Sequence, residues 1–126
     1  MSIRSYRDLR VWQKAVDLAV DSYRLSRRLP HSEIYGLSSQ IQRSATSIPA
    51  NIAEGHGRKH LGDYLHHLSM ANGSLMELET HLMIAARLMF LNSDDLKPVF
   101  LQTADVGRML NGLISKLQDS KRGLRP

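Results

Sequence analysis

The amino-acid sequence predicts an all-α fold, an up-down-up-down antiparallel four-helix bundle. Three observations carry that expectation. Alternating Val, Ile and Thr runs are absent, so no Asn-Gly turn joins two of them, and the signals that mark strands are missing. Apolar residues recur at helical spacing in four successive segments. The breaks between segments are short, and short connections make consecutive helices antiparallel neighbours. A chain of 126 residues is long enough to bury one core, and a single domain over 1–126 is expected.

The first segment, about 8–29, carries Leu9, Trp12, Val16, Ala19 and Tyr23 on one face and stops at Pro30. Ser32 and Glu33 supply a cap and a first-turn acid for the second, about 33–55, whose inward stripe is Ile34, Leu37, Ile41, Ile48 and Ile52. The third, about 59–90, steps through Leu61, Leu65, Leu68, Leu75, Leu78, Leu82, Ala85 and Met89, a bundle seam. Asn92 and Ser93 cap the fourth, about 93–117, with Asp94 and Asp95 placed against the helix dipole. Its stripe is Leu96, Val99, Thr103, Val106, Leu110, Leu113 and Leu117. The basic tail 118–126 lacks apolar spacing and is expected to fray.

The second segment contains the stretch "SATSIPANIAEGHGR", with a breaker in its middle. Pro49 has no N–H and frees the Ala45 carbonyl, so a bend is expected there, with Ser44, Thr46 and Ser47 in reach of the disturbed backbone. Gly55 and Gly57 are expected to end the helix, one of them in the left-handed position. Beside the Ile stripe runs a polar ridge, Gln40, Arg43, Ser47, Asn51 and Glu54, at steps of three and four residues. The third segment has its own ridge, His60, His67, Ser74 and His81, at sevenfold spacing. A monomeric bundle needs one stripe per helix, so extra ridges that are neither apolar nor heavily charged suit subunit contacts.

The charge is +5 and lies at the chain ends. Arg4, Arg7, Arg10 and Lys14 stand against Asp8, and Lys116, Lys121, Arg122 and Arg125 against Asp119. Such ends suit an anionic partner, and equally suit a solvated surface. For a nucleic acid, the phosphate-contact candidates are Arg4, Arg7, Arg10, Lys14, Arg58, Lys59, Lys121, Arg122 and Arg125. Trp12, Tyr23, Tyr64 and Phe90 fall on or near core stripes, which leaves no ring platform for base stacking. Apolar runs are too short for a membrane span, and the arginines near the start do not fit a signal peptide, so a bacterial-type cytoplasmic protein is expected.

Catalytic motifs are missing. With no cysteine there is no thiol chemistry or zinc-thiolate site. Gly55-x-Gly57 follows a helix and lacks a third glycine, so it is no dinucleotide fingerprint. A di-iron bundle needs Glu-x-x-His on two helices, whereas Glu77 precedes His81 by four residues and no other helix supplies such a pair. Glu77 and Glu79 point to different sides, with Glu79 placed near solvent. No cofactor and no catalytic or metal-ligating residue is expected. A small metal-binding or enzymatic helical bundle stands as the alternative to a non-enzymatic binding protein.

"LSSQIQRSATSIPANIAEGHGR" followed by "ANGSLMELETHL" resembles the family of four-helix-bundle proteins encoded in 23S ribosomal RNA intervening sequences, and "YRDLRVWQKAVDLA" is similar to that family's opening helix. The similarity runs from Tyr6 to about Leu117. The resemblance implies a ring-like homopentamer. It also implies kinship with the accessory proteins of diversity-generating retroelements, basic pentamers that engage nucleic acid and a reverse transcriptase. It implies no settled biochemical activity. The expectation is therefore a non-enzymatic oligomeric scaffold whose partners are its own copies, RNA or DNA, and a protein such as a reverse transcriptase, with no membrane involved.

Overall fold

The computed structural model describes residues 4–121, and among them all regular structure is helical. Four α-helices, α1 (Arg10–Ser26), α2 (Leu37–His56), α3 (Leu61–Arg87) and α4 (Ser93–Lys121), follow one another, with short 3-10 turns at Tyr6–Asp8 and His31–Glu33. Each helix packs on two others, α1 on α2 and α4, and α3 on α2 and α4, while α1 and α3 do not touch. The four therefore stand at the corners of a square around one core.

Capping explains where the helices begin. Ser5 Oγ accepts from the Arg7 N–H at 3.0 Å and Asp8 accepts from the Ser5 N–H at 3.2 Å, so residues 5–8 close a turn of their own and α1 starts only at Arg10. The second helix likewise starts later than Glu33. The Glu33 carboxylate accepts from the Leu37 N–H at 3.2 Å and caps α2 from across the intervening turn. Ile34, expected in the core, lies in that turn and is exposed. At α4 the expected cap forms as a reciprocal pair: Asn92 Oδ1 accepts from the Asp95 N–H (2.9 Å), and Asp95 accepts from the Asn92 N–H (3.0 Å).

Helix ends differ from expectation in three places. α2 runs through Pro49, as expected, and ends at His56, while Ser44 and Thr46 bond the carbonyls of Gln40, Ile41, Gln42 and Arg43 rather than that of Ala45. Gly57 caps α2 in the right-handed region, with φ −79°. The left-handed residue is Met89, with φ 66°, at the end of α3. There the Phe90 N–H bonds the Ala85 carbonyl and the Met89 N–H bonds the Ala86 carbonyl, a Schellman closure built on a methionine. The fourth helix continues past Leu117 to Lys121, since Leu113, Ile114 and Leu117 still pack against the core and no proline or glycine follows before Lys121.

The core joins Ile41, Ala45, Ile48 and Ile52 of α2 to Leu68, Leu75, Leu78 and Leu82 of α3 and Leu96, Val99, Val106 and Leu110 of α4. On α1 the buried face is turned from the expected one: Val11, Ala15, Leu18, Ala19, Ser22 and Leu25 are inside, and Tyr23 is exposed. Small polar residues set that phase. Ser26 sits against α2, where its carbonyl accepts from Ser38 Oγ at 3.1 Å and its hydroxyl from Gln42 at 2.9 Å. Further links set the registers. Gln102 donates to Asp21 at 2.9 Å, Arg28 pairs with Asp95, and Thr103 donates to Glu79 at 2.9 Å. Glu79, expected near solvent, is thus a half-buried tie between α3 and α4.

Met89→Gly is expected to stabilise the fold by about 1 kcal/mol, because glycine adopts the left-handed conformation without the Cβ penalty; denaturant unfolding measures it. The Asn92 N–H, and then the Arg28 guanidinium, hold the Asp95 carboxyl below its ordinary value of 3.8. A lowered pKa gives stability that is present above the ordinary value and lost as pH falls through the folded-state value. Asp95→Asn should therefore destabilise at neutral pH, and unfolding curves of variant and parent should converge in strong acid.

Candidate functional site: a polar seam and a basic end

The two ridges singled out in the sequence meet one another. Asn51 of α2 donates through its amide to the Ser47 carbonyl (2.9 Å) and hydroxyl (3.0 Å), and its Oδ1 lies 3.2 Å from His67 Nδ1. Ser74 of α3 donates to Ser47 Oγ at 2.9 Å. Glu54 lies 4.0 Å from His67 and accepts from Arg58 at 2.9 Å. The middle of each ridge is therefore consumed by an α2–α3 seam within one chain. Gln40, Arg43, His60 and His81 stay outside the bonds of that seam.

Gly55 makes this seam possible. A Cβ there would lie 2.8 Å from His67 Cβ and 3.1 Å from the Tyr64 ring, so the two helix backbones approach too closely for any side chain. Tyr64, half-buried beside it, has its phenol pKa raised by desolvation. The remaining ridge residues separate. Gln40 and Arg43 open into a polar cleft of about 450 Å³ with Ser44, Ser47, Ser74 and Glu77. His60 stands at the cap position of α3, outside the helix, and is exposed. His81 is half-buried, with an enclosed Nε2 that has no partner among the described residues.

The basic candidates gather at one end. Ser38 at the start of α2 bonds Ser26 at the end of α1, and α2 also packs on the Tyr6–Asp8 turn. Arg58 and Lys59, just past α2, thus lie at the same end of the bundle as Arg4, Arg7 and Arg10. Higher residue numbers on α4 meet lower numbers on α1, Asp95 with Arg28 and Gln102 with Asp21. Continued at about 1.5 Å per residue, that register brings Lys116 near the level of Arg7 and Arg10, with Lys121 beyond it.

Arg4, Arg7, Arg10 and Lys59 are exposed, and Lys14 is half-exposed. None of the five forms an ion pair among the described residues, whereas Arg58 is paired with Glu54. The Asp8 carboxylate is occupied by the backbone N–H groups of Arg4 and Ser5. Arg122 and Arg125 lie outside the described residues. One ring escaped the sequence reading: Tyr35 is 96% exposed, but it sits before α2, at the opposite end of the bundle.

A second surface was missed. Met70, Met76, Met83, Ile84 and Leu88 of α3 all face outward and are exposed. The signal was charge: α3 has 27 residues and only Asp63, Glu77, Glu79 and Arg87 as charged groups. No cluster of three or more His, Asp or Glu able to hold a metal occurs among the described residues. No described helix is long and apolar enough to cross a membrane.

A square of four helices closed by a polar seam, with a cluster of unpaired cations at one end, defines a four-helix bundle protein. The chain belongs to the family of the 23S rRNA-intervening sequence protein, whose pattern it matches over residues 7–112. It is similar to a crystal structure of a protein with unknown function from the S23 ribosomal protein family of Bacteroides thetaiotaomicron. The two are 26% identical, with a TM-score of 0.77, over 82% of this chain and 97% of that one. Nothing matches significantly among the curated proteins.

Gly55→Ala tests the close approach. An alanine in an open helix position stabilises by about 1 kcal/mol, but here the backbones must part, and a net loss of about 1–3 kcal/mol is expected. Unchanged or increased stability in denaturant unfolding would contradict the seam geometry.

Proposed function

We propose that this protein is a non-enzymatic scaffold, an antiparallel up-and-down bundle that forms a ring-like homopentamer and binds RNA or DNA through phosphate contacts. The observation that carries the reading is the convergence of Arg4, Arg7, Arg10, Lys14, Arg58, Lys59 and Lys116 on one end of the bundle. These residues come from both ends of the sequence and from its middle. The number five comes from the family resemblance.

In a ring with cyclic symmetry every basic end recurs about one axis. A net charge of +5 per chain becomes about +25 per pentamer, enough to attract a polyanion over the screening distance. With Tyr35, the most exposed ring, at the far end, the basic end offers phosphate contacts rather than base stacking. Binding is then driven by counterion release and discriminates little between sequences.

The groups best suited to chemistry support a scaffold as well. His67 and Asn51 bond each other, and Glu79 is tied to Thr103. A protein partner such as a reverse transcriptase fits the same assembly, and nothing in the reading requires a membrane or a compartment other than the cytoplasm.

Anisotropy titrations with labelled RNA and DNA of several sequences, over a range of salt, test the proposal. Affinity should fall steeply with salt and vary little with sequence. The triple variant Arg4→Gln, Arg7→Gln, Arg10→Gln should weaken binding to all of them alike and reduce the salt slope by about one for each phosphate no longer neutralised. Absence of any binding at low salt would overturn the nucleic-acid reading, and a protomer mass in light scattering would overturn the ring.

A further inference from the structure

Two apolar features of the surface have no partner inside the protomer. The first is the outer face of α3, where Met70, Met76, Met83, Ile84 and Leu88 are 42–58% exposed. They offer on the order of 500 Å² of apolar surface, a large share of the roughly 800 Å² that each partner gives to a stable interface. Among them lies Gly73. A Cβ on Gly73 would meet nothing within 4 Å, so the protomer has no use for a glycine there. Mid-helix it costs about 1 kcal/mol relative to alanine. Close approach of a second chain would account for it.

The second feature is a groove of about 420 Å³ between α1 and α2, lined by Ala19, Val20, Tyr23 and Thr46 and rimmed by Arg24 and Arg27. Val20 and Tyr23 are its exposed apolar groups. The Arg27 guanidinium rests 5.8 Å from the Tyr23 ring centroid and forms no ion pair among the described residues. Arg24 is held only loosely, 3.4 Å from Asp21. On the α3 face the exposed anion is Glu77, also without an ion pair among the described residues.

Because α1 and α3 stand at opposite corners of the square, face and groove cannot meet within one chain. Two different, separate patches on a subunit are what a head-to-tail contact needs, and such a contact closes into a ring when its rotation allows. We infer that the methionine face of α3 on one copy seats in the α1–α2 groove of the next, with Glu77 against the Arg24–Arg27 rim. The inference rests on the ring-assembly reading above and supplies that ring with its interface. Methionine suits the face, since its unbranched side chain moulds to an irregular groove.

The chain has no cysteine, so engineered thiols report cleanly. The double variant Met83→Cys, Val20→Cys, treated with a short bis-maleimide, should give a ladder of multimers on a denaturing gel. Each single variant should remain a protomer. Dimers from Met83→Cys alone would mean α3 meets α3, and would overturn the inference.

Glu77→Arg should shift the light-scattering mass toward the protomer, and adding Arg24→Glu and Arg27→Glu should restore it. Gly73→Leu should weaken assembly with helicity unchanged. A parent protein that is itself a protomer sinks the ring reading and this inference together. An oligomeric parent that shows neither the ladder nor the Glu77 effect sinks the seating alone.

Discussion

The close approach of α2 and α3 at Gly55 is the constraint on which the rest of the structure depends. With His67 Cβ only 2.8 Å from where a Gly55 Cβ would stand, the two helices bring their polar ridges into direct contact. Polar groups enclosed that way must bond one another or bear the cost of desolvation. Ser47, Asn51, His67 and Ser74 do so. A hydrogen-bonded seam has one register, whereas Ile and Leu stripes tolerate several, so the seam sets how far α3 is displaced along α2.

That register decides what α3 shows to solvent. Its leucines point into the core, its serine and histidine into the seam, and Met70, Met76, Met83, Ile84 and Leu88 are left outside. Thr103 and Glu79 tie the far side of α3 to α4. α4 is in turn held against α1 by Asp21–Gln102 and Arg28–Asp95. The same chain of contacts carries the last turns of α4 to the start of α1. The basic end is therefore a consequence of helix register as much as of composition.

Membership in the 23S rRNA-intervening sequence protein family, with a similar fold of unknown function in the S23 ribosomal protein family, fits a molecule whose specificity lies in surfaces. His67, Asn51, Ser74 and Glu79 are bonded within the protomer, while Met70, Met76, Met83, Ile84 and Leu88 stay exposed along its side.

Much of the fold was legible in the sequence because its signals are local. Asn92 and Asp95 lie three residues apart and form their cap whatever surrounds them. The stripes of α2 and α4 repeat at the helical period. The α1 phase was misread because Ser22 and Ser26 are buried, Ser26 through its bonds to α2, and small polar residues leave no trace in an apolar count. Met89 took the left-handed position that glycine usually marks, since the closing bonds to Ala85 and Ala86 depend on where the chain must turn next. The sequence by itself determined four helices, the cap of the fourth, most of their inward faces and the placing of charge at the chain ends. Only the tertiary structure decided that the two polar ridges pair with each other and that the last turns of α4 come level with the start of α1. The period of a helix states which residues share a face, and the packing of the other helices determines what that face touches.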